Sequence, residues 1–159
     1  AREIDLAFQN GPFDQRTPHT EPLGQSPYIW VAAPALGFSP GPVAAAQIAR
    51  HRILTHARGS YPFTQLDAHF RQIEQPVRLV PSSNIAACLQ MANDGLGVAC
   101  VPALMAAEAL TAGRLQVLDY DWHPEDLHFA ARWLVDPAPT FLIAAVAIAA
   151  GLYPPEDHD

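Results

Sequence analysis

The chain has 159 residues, half of them apolar and 16% charged, against roughly 25% charged in an ordinary soluble domain. That length can bury one hydrophobic core, and that composition excludes a disordered chain. All nine basic residues are arginine, and with sixteen acidic residues the formal charge is −7, the wrong sign for gripping a phosphate backbone unaided. Two cysteines, Cys88 and Cys100, exclude a disulfide scaffold and read as buried, reduced thiols.

In chain order, Ile4–Phe8 is a short apolar strand stopped by Asn10-Gly11-Pro12, a strong turn signal. Tyr28–Ala33 is continuously apolar and reads as a strand covered on both faces. Gly41-Pro42 opens a short helix over Val43–Ala49. Ile53–His56 is a strand, and Ala57-Arg58-Gly59-Ser60 leads to a helix from Pro62 to about Gln72, with Ser60 as its cap. A strand over Val77–Val80 and the Pro81-Ser82-Ser83 junction precede a helix ending at Asn93-Asp94, with Gly95 as a left-handed stop. Val98–Val101 is a strand, Pro102 opens a helix through Ala112, and Gly113 ends it. Leu115–Leu118 and Leu127–Leu134 are strands, and Pro139 introduces the last helix. Its apolar run, Phe141–Tyr153, is far short of the ~20 residues of a membrane span. Strands alternating with helices predict an α/β protein built on a mainly parallel sheet.

Catalytic and metal motifs are weak. Ser60 lacks the flanking glycines of a Gly-x-Ser-x-Gly nucleophile turn. The seven histidines include no His-Glu-x-x-His pair, and His51 and His56 are poorly spaced to share an ion. Gly95-x-Gly97 lies between a helix and a strand, the reverse of the order a dinucleotide loop needs. No metal, no cofactor and no catalytic group is expected.

What remains is a binding pattern. In open α/β sheets, loops after the carboxyl ends of strands converge on ligands, where helix N-termini offer unpaired amides. Three junctions fit: Asn10-Gly11, Thr55-His56-Ala57-Arg58-Gly59-Ser60, and Pro81-Ser82-Ser83-Asn84. Arg58 offers a bidentate fork for a carboxylate, and Ser82 and Ser83 offer hydroxyls beside helix-terminal amides. The candidate ligand-binding set is Asn10, Gly11, Thr55, His56, Arg58, Ser60, Ser82, Ser83, Asn84 and Pro102. The expected ligand is a small organic acid or another polar-headed molecule.

Asp94-Gly95-Leu96-Gly97-Val98-Ala99-Cys100-Val101-Pro102-Ala103-Leu104 resembles the AGLGIALLP segment of LysR-type transcriptional regulators. Ala107-Glu108-Ala109-Leu110-Thr111-Ala112-Gly113-Arg114-Leu115 is similar to that family's AEELAAGRL continuation. Ile4-Asp5-Leu6-Ala7-Phe8 resembles its LDLAI strand, and Leu23-Gly24-Gln25-Ser26-Pro27 its hinge passage. Ser82-Ser83 with the next helix resembles its DSLEALLALVAAG stretch. Order and spacing together carry the match, from about Ile4 to Ala150.

The resemblance implies a type 2 periplasmic-binding-protein-like α/β fold, with one complete lobe and part of the second. Residues 1–27 would be a remnant of the first effector lobe and hinge, 28–135 the second lobe, and 136–159 the hinge return and a C-terminal helix packing on the first lobe. The implied function is a non-catalytic, cytoplasmic co-inducer sensor. It would contact DNA only through an N-terminal helix-turn-helix outside this sequence, and would have no membrane partner. The regulator would be a homodimer or homotetramer, with the Asn84–Asn93 helix at the subunit seam. A periplasmic solute-binding protein of the same fold is the alternative reading, and a small serine hydrolase using Ser60 the third.

Overall fold

The computed structural model describes residues 5–11, 19–134 and 137–152. Its elements are β1 Leu6–Asn10, β2 His19–Ser26, β3 Tyr28–Ala32, a 3-10 turn Pro34–Leu36, α1 Ala45–Ile48, β4 Arg52–His56, α2 Tyr61–Gln72, β5 Arg78–Ser82, α3 Ile85–Asn93, β6 Val98–Pro102, α4 Ala103–Thr111, β7 Gln116–Leu118, β8 Leu127–Trp133 and α5 Thr140–Leu152. The chain divides into two units. Unit 1 is residues 1–26 with 126–159, and unit 2 is residues 27–125.

Unit 2 carries a five-stranded sheet in the order β5-β4-β6-β3-β7. Strand β4 runs parallel to β5 and β6, while β3 runs antiparallel to both β6 and β7. The sheet is therefore mixed rather than mainly parallel. A continuous apolar run reports that both faces of β3 are covered, and says nothing of its direction. Val31, Leu54, Ala99 and Val101 from the strands pack with Cys88 and Ala92 of α3 and Ala106 and Ala109 of α4. Trp30 faces the other way, edge-on to Phe70 of α2 and to Tyr120, as strand alternation requires. Phe70, Leu66, Ile48, Ile53 and Leu54 are fully buried, each worth about 1.5–3 kcal/mol against an exposed state.

Two caps and one glycine fix the helix positions. Ser60 Oγ accepts from Phe63 N at 3.4 Å, as the sequence predicts. Asn84 Oδ1 accepts from Ala86 N at 3.0 Å and Ala87 N at 3.3 Å, so Asn84, not Ser82 or Ser83, caps α3. Beyond α3, the Asp94–Gly97 turn brings the chain so close to β4 that a Cβ on Gly97 would collide with the Arg52 carbonyl oxygen. Only glycine fits there.

Unit 1 is a three-stranded antiparallel sheet in the order β1-β8-β2. The expected second lobe ran to residue 135, yet β8 pairs with β1 and β2 and belongs to this sheet. Strand β2 has no counterpart among the predicted elements. It carries Pro22 and Gly24 at a register shift, which an edge strand tolerates and a central one does not. Leu142 and Val146 of α5 bury against Leu23 and Ala131. Phe141 is 64% exposed and Ile148 68%, so the described part of the apolar run at 141–153 is buried on one side only. No helix among the described residues is long and apolar enough to cross a membrane.

Candidate functional site

Parallel pairing aligns the carboxyl ends of β4 and β5. Thr55 stands opposite Pro81, and His56 opposite Ser82. Each strand then turns into a helix at the same edge of the sheet, through Ala57–Ser60 into α2 and through Ser83-Asn84 into α3. Because β3 is antiparallel, its first residue, Tyr28, pairs with Pro102 at the end of β6. Tyr28, His56, Ser82 and Pro102 thus end four strands along one rim.

Along that rim, Tyr28 Oη and His56 Nε2 share a hydrogen bond of 3.1 Å, and their rings meet edge to face at 5.5 Å. Tyr28 is only 2% exposed. Burial pushes its phenol well above the ordinary range and holds His56 below its usual 6.5, so both are neutral near pH 7. Tyr28 escapes sequence reasoning because it opens an apolar run and reads as core. The usable signal is that a buried tyrosine hydroxyl needs a polar partner.

The remaining rim residues have defined positions. Arg58 is exposed at the tip of the loop, its guanidinium 5.8 Å from the centre of the Phe63 ring. It belongs to neither ion pair found among the described residues, Asp67–Arg71 and Glu108–Arg114. Gly59, at φ +80°, lets the loop reverse within Ala57–Ser60, closed by Ser60 N donating to Ala57 O at 3.1 Å. The Ser82 hydroxyl accepts from Asn84 N and donates to Asn84 O, both at 3.1 Å. Ser83 is exposed.

Thr55 and Pro102 lie beneath this surface, with Thr55 at 1% exposure. The Thr55 carbonyl accepts from the Cys88 thiol at 3.4 Å. Burial raises both cysteine thiols, in keeping with inert, protonated side chains. Asn10 and Gly11 belong to unit 1, where Gly11 N donates to His128 O at 2.9 Å.

At the start of α3, the Ala86 and Ala87 amides donate to Asn84 Oδ1. On α3, the proposed seam helix, Cys88 and Ala92 are buried in unit 2 itself, and Ile85, Leu89 and Met91 pack against the same core. Ile85, Leu89 and Met91 are only partly buried there, and Ala86 is exposed. A hollow of about 380 Å³ lies at the opposite end of α2, between Phe70, Arg71, Glu74 and Val77, away from the rim. No cluster of three or more metal-ligating side chains occurs among the described residues.

Residues 1–148 match the model of the LysR substrate binding domain. The chain belongs to that family. Among solved structures, the LysR domain is similar to the CcmR regulatory domain of Synechocystis PCC6803 in complex with 2-PG (TM-score 0.73, 17% identity, 96% of this chain and 76% of that one). It is similar to the regulatory domain of CrgA, a LysR-type regulator from Neisseria meningitidis (0.72, 17%, 94% and 75%). It also resembles the HypT regulatory domain from Salmonella typhimurium in its apo form (0.71, 21%, 93% and 73%). None of the curated proteins matches the chain. The fold is type 2 periplasmic-binding-protein-like, and the LysR domain is the effector-binding, sensing module of a transcriptional regulator.

Proposed function

We propose that the rim at the ends of β4 and β5 is the effector site, and that its ligand is a small organic molecule with a carboxylate or similarly polar head. The observation that carries this reading is the His56–Ser82 register, which sets two strand-to-helix junctions side by side with Arg58 in the loop between β4 and α2. Arg58 supplies the cation, the Ser83 hydroxyl and the Ser82–Asn84 turn supply polar contacts, and the Tyr28–His56 pair forms a neutral, polar floor. Thr55 and Pro102 shape that floor from below. Asn10 and Gly11 remain candidates from unit 1.

The module senses and does not catalyse. Ser60 Oγ caps α2, and His56 Nε2 bonds Tyr28, so neither stands in a nucleophile–base pair. The regulator would act in the cytoplasm as a homodimer or homotetramer, with DNA contacted by a separate N-terminal domain. The charge of −7 supports assigning DNA contact elsewhere.

Calorimetric titration of the chain with a panel of small carboxylates, 2-PG among them, tests the site. A charge-assisted hydrogen bond contributes about 1.5–3 kcal/mol, so a carboxylate that binds the wild type should bind Arg58→Ala roughly ten- to a hundredfold more weakly. Equal affinity for both proteins would remove Arg58 from the site.

A further inference from the structure

Helix α2 begins where the Arg58 loop ends and runs twelve residues, about 18 Å. Leu66 and Phe70 anchor one side in the core. A different stripe, spaced by four residues, holds a single stretch of chain. Tyr61 Oη donates to Glu125 Oε2 at 3.0 Å, Gln65 Oε1 accepts from Glu125 N at 3.0 Å, and His69 Nε2 shares a 2.6 Å hydrogen bond with Tyr120 Oη. The His69 ring also lies flat on Trp122, with centroids 3.9 Å apart and planes within 3°. From the sheet, Trp30 Nε1 donates to Trp122 O at 2.7 Å. Residues at i, i+4 and i+8 lie near one another along a helix surface, so three successive turns grip residues 120–125.

That stretch is the last of unit 2. Residue 126 opens the second stretch of unit 1, and Leu127 begins β8, the central strand of its sheet. The first passage between units is held by different means, Ala103 N donating to Pro27 O at 2.8 Å at the start of α4. A short exposed loop could have joined β7 to β8. Instead, the connection carries Tyr120 and Trp122 and is joined to α2 and β3 by four side-chain hydrogen bonds.

We propose that α2 is a coupling rod. Tyr61, Gln65 and His69 are positioning residues that tie the Arg58 loop, at the helix N-terminus, to the passage into β8. A displacement of the loop moves α2 as a body, and the stripe carries 120–125 with it. This rests on the effector reading for the loop, but the tie itself is testable with nothing bound.

Amide hydrogen exchange of the full 159-residue chain, with no added molecule, is the test. Gln65→Ala/His69→Ala should speed exchange at 120–125 by about three- to tenfold, the range expected for losing one or two net hydrogen bonds. It should also speed exchange at Ala57–Ser60, at the far end of the helix, by about twofold or more. Conversely, Ser60→Ala should speed exchange at 120–125. Asp67→Ala, which breaks the exposed ion pair with Arg71 on the same helix, should leave 120–125 unchanged, and amides of β4 and β6 should stay at wild-type rates throughout. If His69→Ala does not fold, Tyr61→Phe/Gln65→Ala keeps the test, since Tyr61 is exposed. Effects confined to the end of α2 that was altered, or acceleration of every amide alike, would overturn the coupling. Failure of the carboxylate titration would leave this result untouched, and failure here would leave that titration untouched.

Discussion

Unit 2 and unit 1 solve the burial problem differently. In unit 2 the sheet is covered by α3 and α4 on one side and by α2 with its aromatic neighbours on the other. Trp30, Phe70, Leu66, Ile53 and Leu54 are out of water. Unit 1 sets three strands against α5, with a buried centre formed by Leu23, Ala131, Leu142 and Val146. Phe8, Leu134, Phe141, Ile143 and Ile148 are more than half exposed there. The difference teaches why the proposed effector rim falls where it does: its strand ends belong to a sheet with helices on both faces, held rigidly enough to place side chains.

The sharpest way to break the comparison is Phe70→Ala. Removing a fully buried phenylalanine costs about 3–5 kcal/mol, and Phe70 touches Trp30 and stacks near Tyr120. Urea unfolding should show loss of the main cooperative transition near neutral pH. A shift below ~1 kcal/mol, the size of an ordinary surface change, would mean that the α2 face contributes little to unit 2.

Leu142→Ala should cost less, about 2–3 kcal/mol, because a partly exposed helix can settle into the space. Its effect should be local: hydrogen exchange should quicken in α5 and β8 while β4, β5 and β6 keep their rates. Equal acceleration in both units would show one cooperative block instead of two.

The smallest effect is one of pH. Burial depresses His56 below 6.5, so below that value the unfolded chain takes up a proton that the folded chain resists. Its contribution is full above the unfolded pKa and is lost as pH falls through the folded one. His69 is depressed in the same direction, also chiefly by burial. Unfolding midpoints measured between about pH 8 and 5 should therefore fall toward acid, with a shallower slope in His56→Gln. Parallel slopes would exclude His56 as a source of that dependence.

How much of this was written in the sequence depends on range. Local signals were legible. Ser60 and Pro62 mark the start of α2, Gly95 marks the end of α3, and the Asp94–Leu104 segment carries the family pattern. Signals that depend on pairing partners were not. The apolar run of β3 gives no direction, and Pro22 and Gly24 disguise β2. The separation of β8 from unit 2 lies in its hydrogen bonds to β1 and β2, which no local pattern encodes. In the site, Arg58 and Ser82 could be proposed from residue type alone. Which side chain caps α3 depends on a competition between Ser82, Ser83 and Asn84 that the chain geometry decides in favour of Asn84. Tyr28 joins the rim only because an antiparallel strand brings its first residue to the end where its neighbours finish.

Unit 2 is also one uninterrupted stretch, residues 27–125, whose flanking residues are already neighbours in the other sheet: Ser26 stands directly opposite Leu127 in the β2–β8 ladder. It is thus placed like a cassette inserted into a hairpin. Excising it would leave two paired strand ends that a two-residue turn could close, and exchanging it would alter neither strand of that ladder. Genetic shuffling can then exchange unit 2, with the rim proposed as the effector site, through a single pair of crossover points, with the register of the receiving sheet left as it was.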